Sequence, residues 1–281
     1  MYRLKNSSLY FRLKWLFLFL ILGSACGEAD TAQTIIANTG ETEEKIPLAD
    51  TGKVSAKTDE TFSIEYLMGK FDPERHPDFV KVDKKYADDD QKLLRKDAYE
   101  AFLKMREAAL KDGIELKILS ATRNFNRQKT IWEAKWNGSR LVENQDLSKT
   151  IPNPEKRALK ILEYSSMPGT SRHHWGTDID LNSLEPAYFK SGTGKKIYAW
   201  LSENAATFGY CQPYSPKGED RPFGYNEEQW HWSYMPVAKK LTDLAERSLK
   251  NEMISGFLGA ETASGIDVVS KFVLGINPAC R

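Results

Sequence analysis

Leu93, Leu94, Ala98, Phe102, Met105 and Ala109 recur at the spacing of one helix face. They predict a helix over residues 88–112, stopped by Gly113. Immediately downstream the period changes to two. Ile114, Leu116 and Ile118 alternate with polar residues up to Ala121, which predicts a strand. Further helices are predicted over 125–136, ended by Asn137-Gly138, and from Pro154 to about Tyr164 with Asn153 as N-cap. Two more follow, over 193–208, closed by Gly209, and over 237–250. Short strands are predicted over 177–181 and 230–234, and residues 139–153 read as a loop. Phe62, Ile64 and Tyr66 also alternate before turn signals at Gly69 and Asp72-Pro73, so order is expected to begin near Phe62. There is no internal repeat. Helices mixed with short strands, without regular strand–helix–strand alternation, predict an α+β fold with a small antiparallel sheet flanked by helices.

The N-terminal pattern is of another kind. Arg3, Lys5, Arg12 and Lys14 precede an unbroken apolar run from Trp15 to Leu22, then Gly23-Ser24-Ala25-Cys26. A basic region, a short apolar core and small residues are the layout of an export signal, expected over residues 1–25. The run is far below the roughly 20 residues that span a bilayer. Small residues directly before a cysteine resemble a bacterial lipobox, although Gly23 stands where an aliphatic residue is usual. That resemblance implies lipidation of Cys26 and a tether to the membrane at the periplasmic face. Gly27 after it points toward the outer membrane. Residues 26–60 are rich in Thr, Glu, Ala, Lys and Asp, cannot bury a core, and read as a solvated linker to a domain over 61–281.

Composition narrows the function classes. The chain of 281 residues carries a net charge of +1, and loss of the signal's four cations leaves −3. No basic block interleaved with aromatics points to nucleic acid. Nothing in the pattern calls for a second subunit, and a monomer is expected. With Cys26 lipidated, Cys211 and Cys280 remain as a pair that an oxidising compartment can close. Such a disulfide would pin the C-terminal tail just before the second histidine segment.

The chemistry is concentrated in two segments. Ser171-Arg172-His173-His174-Trp175-Gly176-Thr177-Asp178-Ile179-Asp180 is answered about fifty residues later by Glu228-Gln229-Trp230-His231, in a chain with only four histidines. Two imidazoles and a carboxylate can hold one zinc ion and leave a coordination position open. Glu228, three residues before His231, can act as general base beside it. Asp178 and Asp180 are two apart and share a strand face, so phase alone does not choose between them. His174 competes with His173 for the same reason of proximity. His76 lies outside both segments and reads as a loop residue.

The spacing Ser-x-His-x-x-Gly-x-x-x-Asp followed by Glu-x-Trp-His resembles the VanY-type D-alanyl-D-alanine carboxypeptidases of the M15 metallopeptidases. These share a fold group with lysostaphin-type enzymes and the Hedgehog domain. The resemblance covers about residues 90–240. It implies His173, Asp180 and His231 as zinc ligands, Glu228 as catalytic base and Ser171 as a pocket residue beside the metal. Ser120 to Gln128 is similar to the family's Ser-Gly-Tyr-Arg-Ser-x-x-x-Gln stretch, which places Arg123 and Gln128 in substrate binding; Thr122 departs from its aromatic. Asp178 departs too, since many relatives carry Ala there.

The expected function is zinc-dependent removal of the terminal D-alanine from peptidoglycan stem peptides. Cleavage of an L,D bond, endopeptidase action and a zinc-stabilised cell-wall binding module are the alternatives.

Overall fold

Ser63 caps the first helical turn, its hydroxyl accepting from the Tyr66 N–H, so the alternating run that opens the fold winds into α1 (Ile64–Leu67) rather than extending. The computed structural model describes residues 62–89 and 91–281. The expected signal segment, Cys26 and the linker lie outside those residues.

A two-stranded antiparallel sheet follows, of β1 (Phe79–Lys81) and β2 (Leu93–Arg95). The helix predicted from residue 88 starts later, as α2 (Lys96–Lys111). Leu93 and Leu94 belong to β2, because their backbones pair with Lys81 and Val80 before the helical phase sets in. The helix buries Ala98, Phe102, Met105 and Ala109, and Gly113 at φ +73° follows its end. β3 (Ile118–Ser120) is shorter than the predicted strand. α3 (Phe125–Trp136) has the predicted bounds, since the Asn124 side chain caps its Arg127 N–H.

The expected loop contains a short α4 (Leu147–Thr150) capped by Asp146. Asn153 caps α5 (Pro154–Ile161). A 3₁₀ turn, Arg172–Trp175, leads through Gly176 into β4 (Asp178–Leu181). Then come α6 (Gly192–Asn204), β5 (Tyr210–Cys211), β6 (His231–Tyr234), α7 (Met235–Ser248) and α8 (Thr262–Ile266).

Four strands form one antiparallel sheet in the order β3-β4-β6-β5. Its register pairs Asp178 with Ser233, Ile179 with Trp232 and Asp180 with His231. One face therefore carries Ile179, Leu181, Trp230 and Trp232, which pack with α2 and α6 residues such as Phe102 and Leu201 into one apolar cluster. The other face carries Asp178, Asp180, His231 and Ser233, all buried. A second apolar cluster joins α1, α3, α5, α7 and the C-terminal helices. Cys211 and Cys280 are joined by a disulfide, with Cα atoms 5.7 Å apart. Beside it the Asn277 N–H donates to the Pro213 carbonyl.

Candidate active site

The turn that carries His173 reverses the chain through Gly176, at φ +73°. A Cβ there would lie 2.4 Å from the Phe79 ring, so only glycine fits. β4 then brings Asp180 back beside His173, and the antiparallel register supplies His231 from β6. The His173 Nε2 lies 3.2 Å from Asp180 Oδ2. The His231 Nδ1 lies 3.1 Å from Asp180 Oδ1 and 3.4 Å from Glu228 Oε2. Donor atoms of His173, Asp180 and His231 all fall within 4.8 Å of one another.

Neighbouring groups fix which nitrogens carry protons. His173 Nδ1 is 2.8 Å from the Ala121 carbonyl, which only accepts, so Nδ1 holds the proton and the Nε2 lone pair faces Asp180. His231 Nε2 is 2.8 Å from Asp178 Oδ2, which accepts its proton, so in the neutral ring that a metal requires the Nδ1 lone pair faces Asp180 and Glu228. Asp180 Oδ1 is buried and has no hydrogen-bond partner among the described residues, although His231 Nδ1 approaches it to 3.1 Å. A buried acceptor cluster of this kind needs a cation. Two imidazole nitrogens and a carboxylate oxygen match the donor set of catalytic zinc.

Burial, then the Arg123 charge, pulls the His173 pKa down and keeps the ring neutral. For His231, burial pulls the pKa down, but the carboxylates of Asp178, Asp180 and Glu228 outweigh it and raise it. Burial raises the Glu228 pKa, and His231 opposes that shift. A carboxyl group raised in this way beside a metal cage is suited to proton transfer.

The family model for D-alanyl-D-alanine carboxypeptidase (VanY) matches residues 91–237, the stretch that builds this cluster. The chain belongs to the VanY family. A curated relative, the putative carboxypeptidase YodJ of Bacillus subtilis, is 28% identical over 183 residues. That match takes in 62% of this chain and spans 57% of the relative's length. Among solved structures, the LdcB LD-carboxypeptidase is 25% identical with a TM-score of 0.45, over 65% of this chain and 77% of that one. VanYB in complex with D-alanine-D-alanine is 22% identical with a TM-score of 0.41, over 62% and 86%.

The VanY signature residues do not all meet. His174, the competing ligand, points away from the cluster. Its Nε2 accepts from the Gly169 N–H at 3.0 Å and its Nδ1 donates to the Arg123 carbonyl at 2.6 Å, so neither nitrogen is free. Burial drives its pKa down to about 3. Ser171 is 1% exposed, is absent from the cleft wall, and its hydroxyl makes no hydrogen bond. It heads a 3₁₀ turn with three residues per turn, so it and His173 leave the turn on different sides. His76 packs in a loop against Tyr66, Phe71 and Phe79.

Arg123 stands at the end of β3, where the Ser120 Oγ accepts from its Nη1 at 2.6 Å and Asp180 Oδ2 lies 3.8 Å away. Gln128 takes the Arg123 Nε–H on its Oε1 at 3.0 Å and donates its amide to the Ser166 carbonyl at 2.8 Å. It therefore holds Arg123 in place. All these groups open into a cleft of about 1210 Å³. Two cleft residues escape the motif reading. Tyr214, whose ring centroid is 4.7 Å from that of His231, sits in a loop with no periodic signal. Lys135 lies eight positions after Arg127 on the α3 face that lines the cleft, and among the described residues donates only to the Ser165 hydroxyl. Its helical phase was the available signal.

Proposed function

We propose that this chain is a zinc-dependent carboxypeptidase that removes the terminal D-alanine from peptidoglycan stem peptides. The observation that carries the reading is the buried Asp180 carboxylate set between the His173 and His231 rings, one of its oxygens without a hydrogen bond, with the raised carboxyl group of Glu228 beside it. His173, Asp180 and His231 would hold the ion. Bound there, zinc supplies a Lewis acid and brings the pKa of water to about 7.

The chain's own groups do the rest. Glu228 takes a proton from the attacking water and returns it to the departing amine. Arg123, held by Gln128 and Ser120, presents guanidinium donors to the substrate carboxylate or the reacting carbonyl. Lys135 offers a second cation in the same cleft, with no carboxylate of the protein paired to it among the described residues. Two cations beside the cage favour a substrate that ends in a free carboxylate, hence removal of one residue. The N-terminal pattern supports a lipid-anchored protein at the periplasmic face, with residues 26–60 as the tether.

Digestion of purified muropeptides followed by mass spectrometry tests the reading. Release of D-alanine from pentapeptides, abolished by a chelator, is the expected result. Release from tetrapeptides alone would replace it with L,D cleavage. Severed cross-links would replace it with endopeptidase action. Tight binding without release would leave a recognition module.

A further inference from the structure

We propose that Asp178, anchored by Arg172, is a positioning residue that locks His231 with its proton on Nε2 and its Nδ1 lone pair facing Asp180. The inference rests on the reading of His231 as a zinc ligand. Asp178 is fully buried and is not part of the cleft wall, so it does not face substrate, and it reaches the cage only through the far nitrogen of His231. Its carboxylate is saturated by four donors. The Arg172 Nε–H at 3.1 Å and the His231 Nε2–H at 2.8 Å reach Oδ2. The hydroxyls of Ser233 at 2.8 Å and Thr177 at 2.6 Å reach Oδ1.

Arg172 is fixed in turn. Its Nη1 donates to Thr242 Oγ1 at 3.0 Å and its Nη2 to Ser233 Oγ at 2.7 Å, and its guanidinium lies 4.4 Å from the centroid of the Trp175 ring. Two of Asp178's donors, Arg172 and Ser233, belong to this buried scaffold, the third is the buried neighbour Thr177, and the fourth is the His231 ring. A buried ion pair serving stability alone has no need of an imidazole from the cage. The two imidazoles are also held differently: His173 donates to a neutral carbonyl, His231 to a carboxylate backed by a guanidinium. An anionic acceptor orients the ring and makes its other nitrogen a stronger donor to a metal, the role outer partners play in carboxylate–histidine–zinc sites. Without Asp178 the His231 ring can turn or change tautomer, and a proton on Nδ1 would then face Asp180 and Glu228.

The test compares wild type, Asp178→Asn and the double variant Arg172→Met/Asp178→Asn, which removes the buried charge that the single change leaves unpaired. Near-UV circular dichroism verifies the fold. Zinc affinity is measured by competition with a chromophoric chelator. ¹⁵N NMR of the zinc-loaded protein shows which His231 nitrogen carries the proton. The expected result is a ten- to hundredfold loss of zinc affinity in whichever variant folds. The wild type should show a protected Nε2–H resonance on His231 that weakens in that variant, while the His173 signals stay in place. A folded variant within twofold of wild type in zinc affinity would overturn the role of Asp178 and leave the enzyme reading intact. So would a wild-type protein that carries the His231 proton on Nδ1. A wild type that binds no zinc would overturn both.

Discussion

The two faces of β4 and β6 are made from alternate residues of the same strands, and they are buried by opposite means. On one face Ile179, Leu181 and Trp232 vanish into an apolar cluster that needs only area and shape. On the other, Asp178, Asp180, His231 and Ser233 are as deeply buried, yet each polar atom must find a named partner. One oxygen, Oδ1 of Asp180, has none. The lesson is that a period of two lets one pair of neighbouring strands be core and reaction centre at once. The apolar side fixes the strands to within the tolerance that the polar side requires.

The comparison can be broken one face at a time. Changing His231→Ala should strip the ion and take turnover with it, read as zinc per protein by atomic absorption. An undiminished zinc content would remove His231 from the cage. Changing Glu228→Gln should keep the ion and lower the rate of D-alanine release by about 10²–10⁴-fold. On the apolar face, Ile179→Ala should cost about 2–5 kcal/mol in urea unfolding while the zinc affinity of the folded protein stays near wild type. Replacing Cys211 and Cys280 by serine opens a connection 69 residues long and should cost about 2–4 kcal/mol, measured the same way.

The smallest effect is expected at Lys135. Burial, then the charges of Arg140 and Arg123, pulls its pKa down to about 8. The cation is present below that pH and lost above it, so KM for a carboxylate-ended peptide should rise a few-fold between about pH 7 and 9. Lys135→Met should raise KM at pH 7 and flatten this rise. A variant that keeps the full wild-type pH profile would exclude Lys135 from substrate binding.

How far the sequence reveals this arrangement depends on what positions each residue. His173 and His231 stand out because histidine is scarce and because β6 alternates aromatic with polar residues. α3 is legible to its ends, since Asn124 caps one and Asn137-Gly138 closes the other. Asp178 and Asp180 cannot be separated by strand phase. Cross-strand register separates them, by setting one opposite Ser233 and the other opposite His231. His174 is indistinguishable from its neighbour until the fold brings the Gly169 amide and the Arg123 carbonyl to its ring. β1 and β5, of three and two residues, are too short to show a period and exist through tertiary pairing. After residue 250 the helices are short and irregular, and their pattern gives no register.

The tail strap links distant parts of the chain. The Asn277 amide groups donate to the carbonyls of Gln212 and Pro213, and the cross-link at Cys211 lies next to them. Tyr214, the next residue, leans on the His231 ring. A thiol reagent or a short C-terminal deletion, acting on residues that touch no substrate, would slacken the rear support of the catalytic wall. The wall of the cleft is in this sense fastened from behind, by residues 277–280.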